Sequence, residues 1–198
     1  MPKKINEADV FKSVIKLLVD RGYDRATTSE MAAASNMHEA TLFRKYGSKD
    51  GLIEQAFNHL LSTTPLSKVT YTGDLQADLF AILDAYVATY NQYGEIMPMV
   101  LLEIPRNPEL RKVLLTPLAN INGLVSIITR YQNEGGLRKE SPITSVNVLL
   151  APILLNQMLS RANTDLPAPS IDLHDYVEAF LNGRKLLSND GAKGLNSN

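Results

Sequence analysis

The chain has 198 residues, 44% of them hydrophobic and 21% charged, which suits a water-facing globular protein with one core, or one core and a small appendage. It contains no cysteine, so disulfides, thiol catalysis and cysteine-ligated zinc are excluded. Net charge is −1: nine Lys/Arg against eight Asp/Glu up to Leu61, and eleven against thirteen beyond it. Bulk charge makes no case for a nucleic-acid partner, and any such case must rest on local placement.

The opening stretch, MPKKINEAD, places Asn6, Glu7 and Asp9 where a signal peptide needs an apolar run. The most apolar segment, SVNVLLAPILLNQML, is interrupted by Asn147, Asn156 and Gln157, and as a run it is too short to span a bilayer. The expectation is a cytoplasmic protein with no membrane partner.

Nearly every segment carries helical periodicity, and no alternating strand pattern stands out, so the expected class is all-α. From Glu7 to Arg21, the residues Val10, Phe11, Val14, Leu17 and Leu18 form one stripe, with Gly22 placed to end the helix. Thr27 with Glu30 three residues later reads as a capping box opening a second helix. Asn36, which tolerates left-handed backbone, sits at the turn into a third. A helix from about 48 to 61 follows, and residues 62–73 read as a linker rich in hydroxyls with Pro65 and Gly73.

Beyond the linker the helices lengthen. Leu75, Leu79, Ile82, Leu83, Tyr86, Val87 and Tyr90 share a stripe; Pro98, Pro105 and Pro108 break the next region into a short helix and a loop. A long helix is expected over 108–133, bent or interrupted near Pro117, and ended by the glycines of EGGLR. Two more helices, about 143–161 and 172–187, complete the chain before a polar tail over 189–198, expected to be disordered.

The two short helices within the stretch Thr28 to Lys49 pose the functional question. Helices of two turns are marginal alone, so they must be packed on each other and on a support. With Met31, Ala32, Met37, Leu42 and Tyr46 turned inward, the pair closes as a helix-turn-helix. Its second helix then shows His38, Glu39, Ala40, Thr41, Arg44 and Lys45 to solvent, where a recognition helix meets the major groove. Arg44 can pair with guanine or phosphate, Thr41 with a thymine methyl or a phosphate, and Glu39 can accept from cytosine N4. Lys45 and Lys49 suit phosphates, and Thr27 and Ser29 add hydroxyls at a helix N-terminus. On spacing alone, a packed helical hairpin with a solvated polar face explains the same residues.

The region resembles the N-terminal domain of the TetR family of bacterial transcriptional regulators. The matching residues are Gly22-Tyr23, Thr27, Met31-Ala32, Asn36-Met37, Thr41-Leu42-Phe43-Arg44-Lys45-Tyr46, Ser48-Lys49 and Leu52, within residues 7–57. Three positions depart from the family pattern. Asn36 replaces the usual glycine, His38 a capping serine, and Phe43 a common tyrosine whose hydroxyl could hold a phosphate.

The resemblance implies a three-helix DNA-binding domain over residues 1–50 and a larger helical domain over 51–188 that binds an effector and dimerises. It implies double-stranded operator DNA, a second copy of the chain and an unknown small molecule as partners, and the role of a ligand-responsive repressor. Apolar residues on two faces of the helix from Ile143 agree with dimerisation: Val146, Leu149, Leu150, Ile153 and Leu154 on one, Val148, Leu155 and Leu159 elsewhere. The candidate dimer residues are Leu150, Leu154, Met158, Tyr176, Val177 and Phe180, with packing inside one monomer as the alternative. Candidate effector-lining residues are Tyr86, Tyr90, Tyr93, Met97, Asn120 and Gln157, although tyrosine and methionine at helical spacing are also ordinary core.

Three scattered histidines, and no phosphate loop, nucleophile elbow or HExxH motif, point to no catalytic residue, no metal site and no cofactor. The alternative to a DNA-binding regulator is a helical small-molecule sensor or interaction module that does not bind DNA.

Overall fold

The computed structural model describes residues 6–94, 96–119, 122–162 and 170–184, without the side chains of residues 97 and 115–119. Ten α-helices are found among them. The first, α1 (Glu7–Arg21), opens with the Asn6 side chain accepting from the backbone N–H of Ala8 and closes at Gly22, whose φ of 76° favours glycine. It buries Val10, Phe11, Val14, Ile15 and Leu18.

Next come the two short helices, α2 (Thr28–Ala34) and α3 (Glu39–Tyr46), and then α4 (Lys49–Thr63). Thr27 and Glu30 form the reciprocal capping box expected at the head of α2. Fully buried Leu18, Met31, Leu42, Leu52 and Ile53 join α1–α4 into one core, each worth about 1.5–3 kcal/mol of burial. That packing offsets the cost of two helices too short to persist alone.

A 3₁₀ turn over Pro65–Lys68 leads toward α5 (Leu75–Tyr93). Buried Asp78 of α5 fixes the incoming linker, accepting from the Thr72 N–H at 2.8 Å, from the Thr72 hydroxyl and from the Tyr131 hydroxyl. The region expected to be a short helix and a loop is α6 (Ile96–Glu103) followed by a turn. The single helix expected over 108–133 is instead two, α7 (Pro108–Ala119) and α8 (Asn122–Asn133). Pro117 lies within α7, so the separation falls after Ala119 and not at the proline.

The helices α6 and α7 lie against the α1–α4 unit. Ile96, Val100, Leu110, Val113 and Leu114 share one apolar cluster with α1–α4. A polar contact accompanies it: the Asn107 side-chain amide donates to Asp24 at 2.9 Å, while its carbonyl oxygen caps α7 by accepting from the Leu110 N–H at 3.0 Å.

The second cluster joins α5 and α8 with α9 (Pro142–Arg161) and α10 (Leu173–Asn182). Val146, Leu149 and Ile153 of α9 and Val177, Phe180 and Leu181 of α10 are buried in it. Glu140, ahead of α9, accepts from Ser145 at 2.6 Å and pairs with Arg138 and Arg184, tying the α8–α9 loop to the end of α10.

Helix α9 has 20 residues and, among the described residues, is the one helix long and apolar enough to cross a membrane by length and composition. The run judged too short is therefore part of a longer helix that gains flanking residues at both ends. One side of that helix packs on α5 and α8 inside the chain. The tail over 189–198 lies outside the described residues.

Candidate nucleic-acid interface

The turn between α2 and α3 is made by Asn36, whose φ of 53° makes it the one non-glycine residue with left-handed backbone among the described residues. Asparagine replaces glycine there without loss of the turn, as its tolerance of this region predicts. Ala32 at the crossing is buried, and its carbonyl accepts from the Met37 N–H at 2.9 Å. Leu42 and Tyr46 pin the inner face of α3, Tyr46 meeting the Phe11 ring at 5.8 Å. His38 occupies the N-cap of α3 but makes no side-chain capping bond. That agrees with the departure from serine at this position.

The outer face of α3 carries exposed Ala40, Phe43, Arg44 and Lys45, with Thr41 half-buried and His38 exposed ahead of them. Thr27 and Ser29 are exposed at the start of α2. The ten expected DNA-contacting residues therefore lie around α3 and the two helix starts flanking it, and their bonding sorts them into two groups.

The Arg44 side chain is exposed and makes no hydrogen bond or ion pair among the described residues, and the same holds for the side chains of His38 and Ser29. Thr27 is spent in its capping box with Glu30, and three others are engaged with more distant partners within the chain. The Glu39 carboxylate accepts from the Thr28 hydroxyl at 2.6 Å, which holds it against the first turn of α2. Lys45 pairs with Glu7 at 2.8 Å. This contact raises the Lys45 pKa and lowers that of Glu7. Both partners are exposed, so the pair exchanges readily with solvent or with a phosphate.

Lys49 is the most committed. Its ammonium donates to the Tyr23 carbonyl at 2.5 Å and lies 4.2 Å from the centroid of the Tyr23 ring. Burial holds its pKa below the ordinary lysine value. Tyr23 in turn donates to Asp50 at 2.5 Å; burial first, then Asp50, pushes its phenol pKa up. Lys49 thus braces the start of α4 against the loop after α1. The sequence marks it as a cation after a recognition helix, but its partners lie 26 residues away and leave no local signal.

Four of the expected effector residues have described side chains, and these four do not line a common cavity. Tyr86 and Tyr90 are buried in the helical core, where burial pushes the Tyr86 phenol up to about 12. Gln157 is half-buried on α9, while the Met97 side chain and Asn120 lie outside the described residues. Of the four candidates with described side chains, Tyr93 borders a cleft of about 520 Å³, whose other walls include Phe11, Ile15, Leu60 and Ile96. This cleft lies between α1 and α4, the α5–α6 turn and the end of α9. Sequence reasoning missed it because its walls come from four separated segments.

The dimer candidates are divided between the core of the chain and its edge. Val177 and Phe180 are consumed in the core of the chain itself, and Leu150, Leu154 and Tyr176 pack partly against it. The exposed apolar residues of α9 are Ile143, Val148, Leu155 and Leu159. Val148, Leu155 and Leu159, spaced seven and four residues apart, fall on one face, turned away from the buried one. The two-sided character of α9 was readable, but which side faced inward depended on tertiary packing.

Residues 13–56 match the family model of bacterial regulatory proteins of the tetR family. Over that segment, 44 of the 198 residues, the chain is similar to the TetR family. An uncharacterised HTH-type transcriptional regulator of Mycobacterium tuberculosis is 30% identical over 113 residues, 57% of this chain and 55% of its own length. The chain thus aligns with about half the length of that curated relative. Among solved structures, a tetR family transcription regulator from Shewanella sp. PV-4 has a TM-score of 0.69 at 17% identity, over 91% of this chain and 98% of its own. AibR, solved with isovaleryl coenzyme A and operator DNA, has a TM-score of 0.59 at 16% identity, over 90% and 97%. At these identities the two structures establish the TetR fold, which extends across the described helices.

Proposed function

We propose that this chain is a TetR-family regulator, a ligand-responsive transcriptional repressor that binds a near-palindromic operator as a homodimer. The observation that carries the reading is the outer face of α3, where Arg44 stands exposed and unpaired on a helix braced from behind by Leu42 and Tyr46. A rigid short helix presenting an unpaired guanidinium suits insertion into a major groove, and its first turns are those that reach base edges.

One eight-residue helix supplies few contacts, so two copies related by a two-fold axis are needed to read adjacent grooves. The exposed stripe Val148, Leu155 and Leu159 on α9 is the surface that would join them, in place of the buried Val177 and Phe180. Leu150, Leu154, Met158 and Tyr176, half-buried on α9 and α10, would flank it.

Regulation follows from the placement of α6 and α7. They touch the α1–α4 core and are continuous with α5, so a ligand favouring one arrangement of α5–α7 would shift α4 and the separation of the two α3 helices. Support for an effector comes from the structural neighbour AibR, which holds isovaleryl coenzyme A together with operator DNA.

A reading without DNA binding draws on Lys49 and Glu39 being engaged within the chain. Sedimentation of the protein with fluorescent genomic fragments separates the two. A complex of two chains on one fragment, weakened by Arg44→Ala, supports the regulator. Absence of any complex at low salt would leave the sensor module.

A further inference from the structure

Phe43 is 37% exposed, and among described residues 6–63 it is the one large hydrophobic side chain left in solvent. The rest of this unit's apolar side chains are spent in the core, and no aromatic or cationic partner covers the Phe43 ring. Ala40, also exposed, precedes it by three residues and therefore neighbours it on the helix surface. Arg44 lies four residues after Ala40, so the pair sits directly beside the unpaired guanidinium. The acidic residue that would otherwise border this patch is turned aside, because Glu39 is held by Thr28 at 2.6 Å. The surface of α3 thus combines an uncharged apolar patch with an adjacent cation.

The major groove presents one apolar group, the C5 methyl of thymine, which alanine and phenylalanine side chains contact well. We infer that Ala40 and Phe43 read thymine methyl groups, so that each half-site holds thymine beside the base or phosphate met by Arg44. This rests on the DNA-binding reading above and adds to it the chemical feature that is recognised. Phe43 in place of a tyrosine keeps the ring that meets the base and gives up a hydroxyl that could hold a phosphate, which moves binding energy from affinity toward sequence preference.

The test begins with the operator selected by the full-length protein from a random duplex pool. Each thymine is then replaced by deoxyuridine, which removes the methyl group and leaves every hydrogen-bonding group in place. Affinity is followed by fluorescence anisotropy. At one or two thymines in each half-site, wild-type binding should weaken about fourfold, and about fifteenfold when both half-sites are changed, the size of one buried methyl group per site. Phe43→Ala or Ala40→Ser should bind the thymine and deoxyuridine operators equally at the affected position, while Phe43→Tyr keeps the difference. These side chains are exposed, so circular dichroism should show all three variants folded.

Equal wild-type affinity for both operators at every thymine would overturn the inference while leaving DNA binding intact. So would a deoxyuridine penalty that survives in both Phe43→Ala and Ala40→Ser. Failure to select any operator would overturn the DNA-binding reading, and this inference with it.

Discussion

Replacing Leu155 with alanine should weaken the homodimer without harming the folded subunit. The side chain is 58% exposed on α9, so it contributes little to the core of its own chain. Full burial of a leucine is worth about 1.5–3 kcal/mol, so covering the exposed part of Leu155 is worth about 0.9–1.7 kcal/mol per copy. A two-fold interface contains the residue twice, and Leu155→Ala therefore costs the dimer about 2–3 kcal/mol. At about 1.4 kcal/mol per tenfold, the dissociation constant should rise about 30- to 150-fold. Adding Leu159→Ala, which is 37% exposed, should increase the loss further. Sedimentation equilibrium over a wide concentration range measures the constant, and far-UV circular dichroism checks the subunit. A folded double variant with an unchanged dissociation constant would refute this placement of the interface.

Other substitutions probe other links. Arg44→Ala should weaken specific binding by about 1–3 kcal/mol if it reads a base, and by a similar amount on every sequence if it meets only phosphate; competition titrations distinguish the two. Asn107→Ala removes both the cap of α7 and the bond to Asp24, and should cost about 1–2 kcal/mol in urea unfolding; a change under about 0.5 kcal/mol would show the contact to be incidental. Glu140 is held down to about 2 from an ordinary 4.5 by its bonds to Ser145, Arg138 and Arg184. Its folded pKa is depressed, so its stabilisation is present above pH 4.5 and lost as pH falls toward 2. Urea midpoints of Glu140→Gln should therefore fall less steeply than wild type through that window, and parallel curves would contradict this origin.

What could be read from the chain alone was local. The capping box at Thr27 and Glu30, the left-handed Asn36 and the uncapped head of α3 at His38 all follow from neighbouring residues, and each appears in the structure. The apolar stripes of α1, α5, α9 and α10 were equally legible, because burial follows helical period. The Asn107-Pro108 pair also carried a helix-start signal that could have located the cap of α7.

The remainder depended on contacts between distant segments. Nothing near Lys49 announces Tyr23, nothing near Lys45 announces Glu7, and nothing near Glu39 announces Thr28. Three polar groups that sequence alone offered to DNA are therefore engaged within the chain. The docking of α6 and α7 on the α1–α4 core was hidden for the same reason. Their apolar residues show that a face is buried, but not which helices bury it.

The most direct measurement is selection of bound fragments from a random duplex pool, with the winning sequence then titrated against salt. An enriched inverted repeat, half-sites one helical turn apart and bound by two chains with affinity falling steeply as salt rises, is the predicted result. No enrichment at low salt would contradict the account.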